Sequence, residues 1–305
     1  MVKEQRNAIK TRLARSRRAD TIGEMKTGTR LPVVAGTFYP GERAALTEVV
    51  CALLGEDVDR SCAPLGMPCG LIAPHAGYPY SGPTAAAGYR AIAGLGRPEL
   101  VVLLGANHTG FGGPVVLDDH ETWRTPLGDV PVAGDVVDAL VDAGIPVDGA
   151  PFVREHSLEV QLPFLQILWG AAFRVVPICV QLADRVALAA AGDAIAAVLR
   201  EIPAALVVAS SDFTHYEPDE SARRTDHEAL DAILALDANR FLDLCVGRRL
   251  TICGAGAIAT LMRAANELGM TTTKLAHYST SAEATGDRSS VVGYAAVLFL
   301  REDHG

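Results

Sequence analysis

Leu100-Val101-Val102-Leu103-Leu104-Gly105-Ala106-Asn107-His108 decides how this chain folds. Five consecutive apolar residues leave no polar face, so a strand over 100–104 is buried on both sides. A strand covered on both faces belongs to a sheet sandwiched between helices. The run stops at Gly105, and an imidazole follows at His108. Two other segments repeat the design. Gly70-Leu71-Ile72-Ala73-Pro74 leads into His75, and the apolar run 205–209 leads into Ser210, Ser211 and Asp212, with His215 just beyond.

Apolar positions at helical spacing flank these strands. They predict helices over 42–54, 85–93, 136–143, 185–200, 219–236, 238–246 and 255–268. Ser81 or Thr84 is expected to cap the helix at 85–93. Leu158, Leu162, Leu165 and Leu168 share one helical face, so 155–169 reads as a single helix despite Pro163. Further strands are expected over 115–117, 123–132, 173–180, 274–280 and 291–300. Alternation of strand and helix predicts an α/β fold with a mostly parallel central sheet sandwiched by helices.

Composition narrows the function classes. The chain has 305 residues and a net charge of −9, yet residues 1–30 hold nine Lys/Arg against three Asp/Glu. This predicts a basic, disordered tail over 1–30 and a single α/β domain over 31–302. The strongly acidic body argues against nucleic acid as a partner, because phosphates require a basic face. No apolar run approaches the length that crosses a bilayer, and the N-terminus has no apolar signal region. The six cysteines form no C-x-x-C pair, which points to a reducing cytoplasm rather than a disulfide framework.

The chemistry sits at the strand ends. In open α/β sheets ligands bind beyond the carboxyl ends of the strands, where His75, His108, Asp212 and His215 all fall. Cys253, in Thr251-Ile252-Cys253-Gly254-Ala255-Gly256, precedes the helix at 255–268, whose N-terminus favours a thiolate. That placement suits a metal ligand or a nucleophile. Two imidazoles and a thiolate hold a transition metal and leave positions open for chemistry. Asp212 reads either as an acid beside His215 or as a turn cap. His156 reads as the start of a helix whose dipole Glu155 and Glu159 favour. His120, His227 and His304 read as exposed and His277 as structural.

Several segments together resemble the Memo family, known in prokaryotes as AmmeMemoRadiSam system protein B. They are Ala35-Gly36-Thr37-Phe38-Tyr39-Pro40, Ala73-Pro74-His75-Ala76-Gly77-Tyr78 running on to Tyr80-Ser81-Gly82, Asn107-His108-Thr109-Gly110, Trp123-Arg124-Thr125-Pro126-Leu127-Gly128, the stretch from Glu155 to Pro163, Ser210 to Tyr216, Cys253-Gly254, and Gly286-Asp287 with Val291-Val292-Gly293-Tyr294. Ala106 and Ala257 stand where relatives often carry Pro. The resemblance extends to class III extradiol dioxygenases, which are non-haem iron(II) enzymes. It implies a metal centre at His75, His108 and Cys253 and an acid/base role for His215 with Asp212 close by. It further implies Fe(II) as cofactor; the chemistry of the thiolate and imidazole donors leaves copper and then zinc as alternatives. The function so implied is a redox- or oxygen-active, dioxygenase-like metalloprotein. The alternatives are a non-catalytic metal- or phosphopeptide-binding protein and a zinc hydrolase. Implied partners are a small-molecule or peptide ligand in the metal cleft, with AMMECR-type and radical-SAM proteins, and neither nucleic acid nor membrane.

Overall fold

The computed structural model describes residues 26–58, 63–182 and 184–301. Strand β3 (Leu100–Ala106) is buried at every position, as its unbroken apolar run requires. It pairs in parallel with β7 (Arg174–Val180) on one side and β8 (Ala205–Ser210) on the other, and β8 pairs in parallel with β2 (Cys69–Ala73). Successive residues of these strands feed opposite cores. Ile72, Val102, Leu104 and Val207 pack with helices α5 (Arg185–Leu199), α7 (Ala238–Gly247) and α8 (Ala255–Leu268). Leu71, Val101, Leu103 and Val208 face α1 (Arg43–Leu54), α2 (Tyr78–Ala93) and α4 (Leu162–Trp169). Each fully buried Leu or Val contributes about 1.5–3 kcal/mol, so both faces hold the sheet rigid.

The sheet is mixed, which corrects the expectation of a mostly parallel one. β10 (Thr272–Thr280), β11 (Val291–Leu300) and β4 (Val115–Leu117) join its edges antiparallel, giving the order β10-β11-β2-β8-β3-β7-β4. The connection 281–290 is too short for the crossover that a parallel β10–β11 pair needs. β9 (His215–Glu217) pairs antiparallel with β11 beyond the main path.

A second sheet has the order β1-β5-β6, from β1 (Lys26–Arg30), β5 (His120–Thr125) and β6 (Gly128–Pro131). The fold therefore begins inside the segment expected to be a tail, whose residues 1–25 lie outside the described ones. Arg30 explains the early start. It is buried, and its guanidinium stacks on Trp123 at 4.3 Å and pairs with the carboxylate of Glu159. Glu159 also accepts the Tyr39 hydroxyl at 2.6 Å and the backbone N–H of Val33 at 2.8 Å.

Two helix boundaries differ from the expectation, both because of proline. α2 begins at Tyr78, with Pro79 in its first turn, and Ser81 caps nothing; it donates instead to the carbonyl of Ala76 at 2.7 Å. The stretch 155–169 is not one helix. α4 starts at Leu162 with Pro163 in its first turn, where a missing N–H costs nothing. Residues 155–161 are thereby released as a turn and a single 3-10 segment, Glu159–Gln161.

Candidate metal centre

The parallel strands end together, and their carboxyl ends carry the candidate ligands. His75 lies just past β2 and His108 just past β3; their ring centroids are 5.2 Å apart. The released segment 155–161 adds a third imidazole. His156 stacks on His108 at 4.6 Å and meets His75 edge-on at 5.6 Å. The ligating atoms of His75, His108 and His156 all lie within 4.8 Å of one another.

Cys253 approaches from the far side, one residue ahead of the N-cap of α8. Its Sγ lies 3.1 Å from Nε2 of His75 and accepts the backbone N–H of Asp212 at 3.2 Å. Glycine makes this approach possible. A Cβ on Gly254 would stand 2.5 Å from the carbonyl oxygen of Ser210, and one on Gly256 would stand 2.4 Å from that of Gln181. Only bare backbone lets the start of α8 press against the ends of β7 and β8.

Hydrogen bonds decide which nitrogens remain available. Ser210 Oγ donates to the carbonyl of Ser157 at 2.7 Å and accepts Nε2 of Gln161 at 2.8 Å. Its remaining lone pair accepts from Nδ1 of His75 at 3.0 Å. His75 thus carries its proton on Nδ1 and turns the Nε2 lone pair towards Cys253. His108 donates Nδ1–H to Oε1 of Glu155 at 2.9 Å, and the other carboxylate oxygen accepts its backbone N–H at 2.7 Å. A carboxylate behind an imidazole is the arrangement that orients metal-binding histidines.

The electrostatics follow. Burial, then the like charges of His108 and His156, hold His75 well below the usual imidazole range, so its lone pair is free. His156 is lowered by burial and by His108. Burial lowers His108 too, but the Glu155 hydrogen bond and charge outweigh it and leave His108 raised. Burial pushes Glu155 up, whereas the bonds and charge of His108 and the N–H of Ser157 bring it to about 2. Cys253 is pushed up by burial and by the Asp212 carboxylate, opposite to the thiolate expected at a helix start. A cation held there would reverse that balance at Cys253, because ligation displaces the thiol proton.

Asp212 and His215 share the loop after β8 without a hydrogen bond between them. Asp212 Oδ1 accepts the backbone N–H of His75 at 2.7 Å and of Ala76 at 3.3 Å, the cap geometry that its position also allowed. His215 is oriented by Thr251 instead: its Nδ1 donates to the Thr251 carbonyl at 2.9 Å, leaving Nε2 unengaged. Val291 pairs with Glu217 and Val292 with His215, so Tyr216 is the extra residue of a β-bulge. It has φ +62° and is 79% exposed.

His156 and Glu155 are the residues that a helical reading of 155–169 misses. Pro163, two residues into the true helix, is the signal that could have exposed them. His120, read as exposed, belongs to a second cluster with Asp118 and Asp119. Asp118 Oδ1 accepts His120 Nδ1 at 2.9 Å, and Oδ2 accepts Trp123 Nε1 at 2.6 Å, so this carboxylate is engaged in holding the small sheet.

Fold and donor set define a class: an α/β sandwich with an imidazole- and thiol-rich centre beyond the carboxyl ends of its parallel strands. The chain belongs to the Memo-like protein family, which it matches over residues 30–298. A MEMO1 family protein of Methanopyrus kandleri is 40% identical over 281 residues, covering 89% of this chain and 99% of the relative. Another, from Methanosarcina acetivorans, is 40% identical over 274 residues, covering 88% and 98%. An uncharacterized protein of Escherichia coli K12 shares the fold, with a TM-score of 0.53 at 13% identity, over 76% of this chain and 99% of that one. No described helix is long and apolar enough to cross a membrane.

Proposed function

We propose that this protein holds one iron(II) or copper ion through His75, His108 and Cys253, and that its remaining coordination positions receive a small-molecule or peptide ligand. The observation that supports it best is the convergence of the His75, His108 and His156 ligating atoms within 4.8 Å, with Cys253 Sγ 3.1 Å from His75 Nε2. Thiolate and imidazole donors favour iron, copper or zinc over magnesium or calcium. Iron or copper bound there supplies one-electron chemistry towards oxygen.

The protein's own groups divide the remaining work. Glu155 and Ser210 fix the two imidazoles through Nδ1, so that both Nε2 atoms are presented. Asp212 holds the His75 turn with its carboxylate and the Cys253 sulphur with its backbone N–H. His215, anchored by Thr251, exchanges a proton with the ligand through Nε2. The likeness to class III extradiol dioxygenases supports an oxidoreductase. Cys253 stands where those enzymes carry a carboxylate, so ring cleavage is not carried over with it. AMMECR-type and radical-SAM proteins are its proposed partners, and the cytoplasm its proposed compartment.

His156 favours a second reading. Three imidazoles also make a zinc site that activates water for hydrolysis. Elemental analysis of anaerobically purified protein, beside the Cys253→Ser variant, separates the two. About one iron or copper per chain, lost in the variant, is the expected result. Zinc retained in Cys253→Ser would replace it with the hydrolytic reading, and a metal-free protein with an intact fold would leave a recognition module.

A further inference from the structure

We infer that Asp226 is a positioning residue for His215, holding the segment that carries the imidazole through the backbone N–H of Thr214. The inference rests on the reading of His215 as the group that exchanges a proton with the ligand. Asp226 comes from α6 (Asp219–Leu234), which packs on β10 and β11, and it has no solvent exposure. Oδ1 accepts the Thr214 N–H at 3.0 Å, and Oδ2 accepts the Tyr278 hydroxyl at 2.7 Å. Burial raises this carboxyl above the usual carboxylate range, so its place in the interior costs stability that hydrogen bonds must offset.

The pairing along β11 shows why that N–H needs a side chain. β11 carries β2 beside Val297 to Phe299 and, on the same flank nearer its start, residues 213–217. Phe213 donates its N–H to the carbonyl of Gly293 at 2.8 Å, and Gly293 donates back to the carbonyl of Thr214 at 2.9 Å. Phe213 and Thr214 thus share one residue of β11, which leaves the Thr214 N–H without a ladder partner. Asp226 supplies the partner. Gly293 makes the approach possible, because a Cβ there would collide with Oδ2 of Asp226. The next residue is His215, which pairs with Val292. It donates its N–H to Thr251 Oγ1 at 2.8 Å and its ring Nδ1–H to the Thr251 carbonyl at 2.9 Å. A carbonyl only accepts, so this contact places the ring proton on Nδ1 and bares Nε2. Asp226 fixes the peptide in front of His215, and Thr251 fixes the ring. Nδ1 meets the Thr251 carbonyl only while that peptide stays in place.

The 15N shifts of the two His215 ring nitrogens in the metal-free protein test this, at a pH that keeps imidazoles neutral and with His215→Gln to assign the signals. The parent should show a protonated Nδ1 and a bare Nε2. In Asp226→Ala the two shifts should converge as the tautomers mix. Asp226→Asn keeps an acceptor for Thr214 and should restore the parental pattern. Tyr278→Phe removes the other hydrogen bond of the same carboxylate and should leave the His215 shifts unchanged. Parental shifts in a folded Asp226→Ala overturn the assignment, because Thr251 alone would then suffice. Converging shifts in Tyr278→Phe also overturn it, because general loosening of α6 would be the cause. Should Asp226→Ala not fold, Gly293→Ala displaces the same carboxylate: convergence there supports the assignment and parental shifts overturn it. The readout needs neither metal nor turnover, so its failure is distinct from a failure of the metal-centre reading, which metal content decides.

Discussion

Glu155 grips His108 at both ends, one carboxylate oxygen accepting the backbone N–H at 2.7 Å and the other the ring Nδ1–H at 2.9 Å. The carboxylate has no solvent exposure. Imidazole position, tautomer and basicity at His108 are therefore set by a residue 47 positions further along the chain. Glu155→Gln should weaken metal binding about ten-fold or more while leaving the fold intact. Competition with a chelator of known affinity, checked by circular dichroism, measures it; equal affinities would show that His108 orients itself.

The same contact has an acid signature in the metal-free protein. Glu155 sits at about 2 in the fold, against 4.5 for the unperturbed carboxyl. A depressed carboxyl contributes stability that is complete above the unfolded value and lost as pH falls through the folded one. The contribution is about 3 kcal/mol, present above pH 4.5 and fading towards pH 2. Urea melts of the parent and Glu155→Gln should differ most at neutral pH and converge in strong acid. A gap that is constant from pH 7 to pH 2.5 would rule out ionisation as its source.

Removing His156 separates two ligand sets. With His75, His108 and Cys253 as the ligands, His156→Ala should keep one metal per chain and lose affinity only modestly, whereas Cys253→Ser empties the site. The reverse pattern, retention in Cys253→Ser and loss in His156→Ala, would identify the three imidazoles as the set.

Arg30 and Glu159 make a buried ion pair that ties β1 to the segment carrying Glu155 and His156. Glu159→Ala strands a buried guanidinium and should cost about 3–5 kcal/mol in denaturant melts. Replacing both partners by apolar residues of similar size should recover much of the loss. A single variant as stable as the parent would mean that the N-terminal strand contributes little.

Gly254→Ala probes the seat of Cys253. Its new Cβ meets the backbone carbonyl of Ser210 at 2.5 Å and Cβ of Ser211 at 2.6 Å, neither a flexible chain end. The start of α8 must retreat, at a cost of about 1–3 kcal/mol. Metal content should drop with stability; full metal occupancy would show that Cys253 tolerates displacement.

The buried strands were legible because hydrophobic burial is written in consecutive residues. Val101 to Leu104 and Leu206 to Ala209 announce strands covered on both faces, and the ionisable residues placed after them mark the end of the sheet where the candidate site lies. Helix spacing and the positions of His75, His108 and Cys253 follow from the same local rules. What the tertiary structure decided is what distant segments do to one another. Strand direction at the sheet edges depended on connection length. The partition of 155–169 depended on Pro163 winning over an apolar stripe, and that freed Glu155 for His108, His156 for the imidazole cluster and Glu159 for Arg30. The choice of Thr251 over Asp212 as the partner of His215 lay in a loop 36 residues away. Hydrogen bonds, desolvation and ligand convergence depend on three-dimensional distance, and a single sequence encodes that distance only through the whole fold.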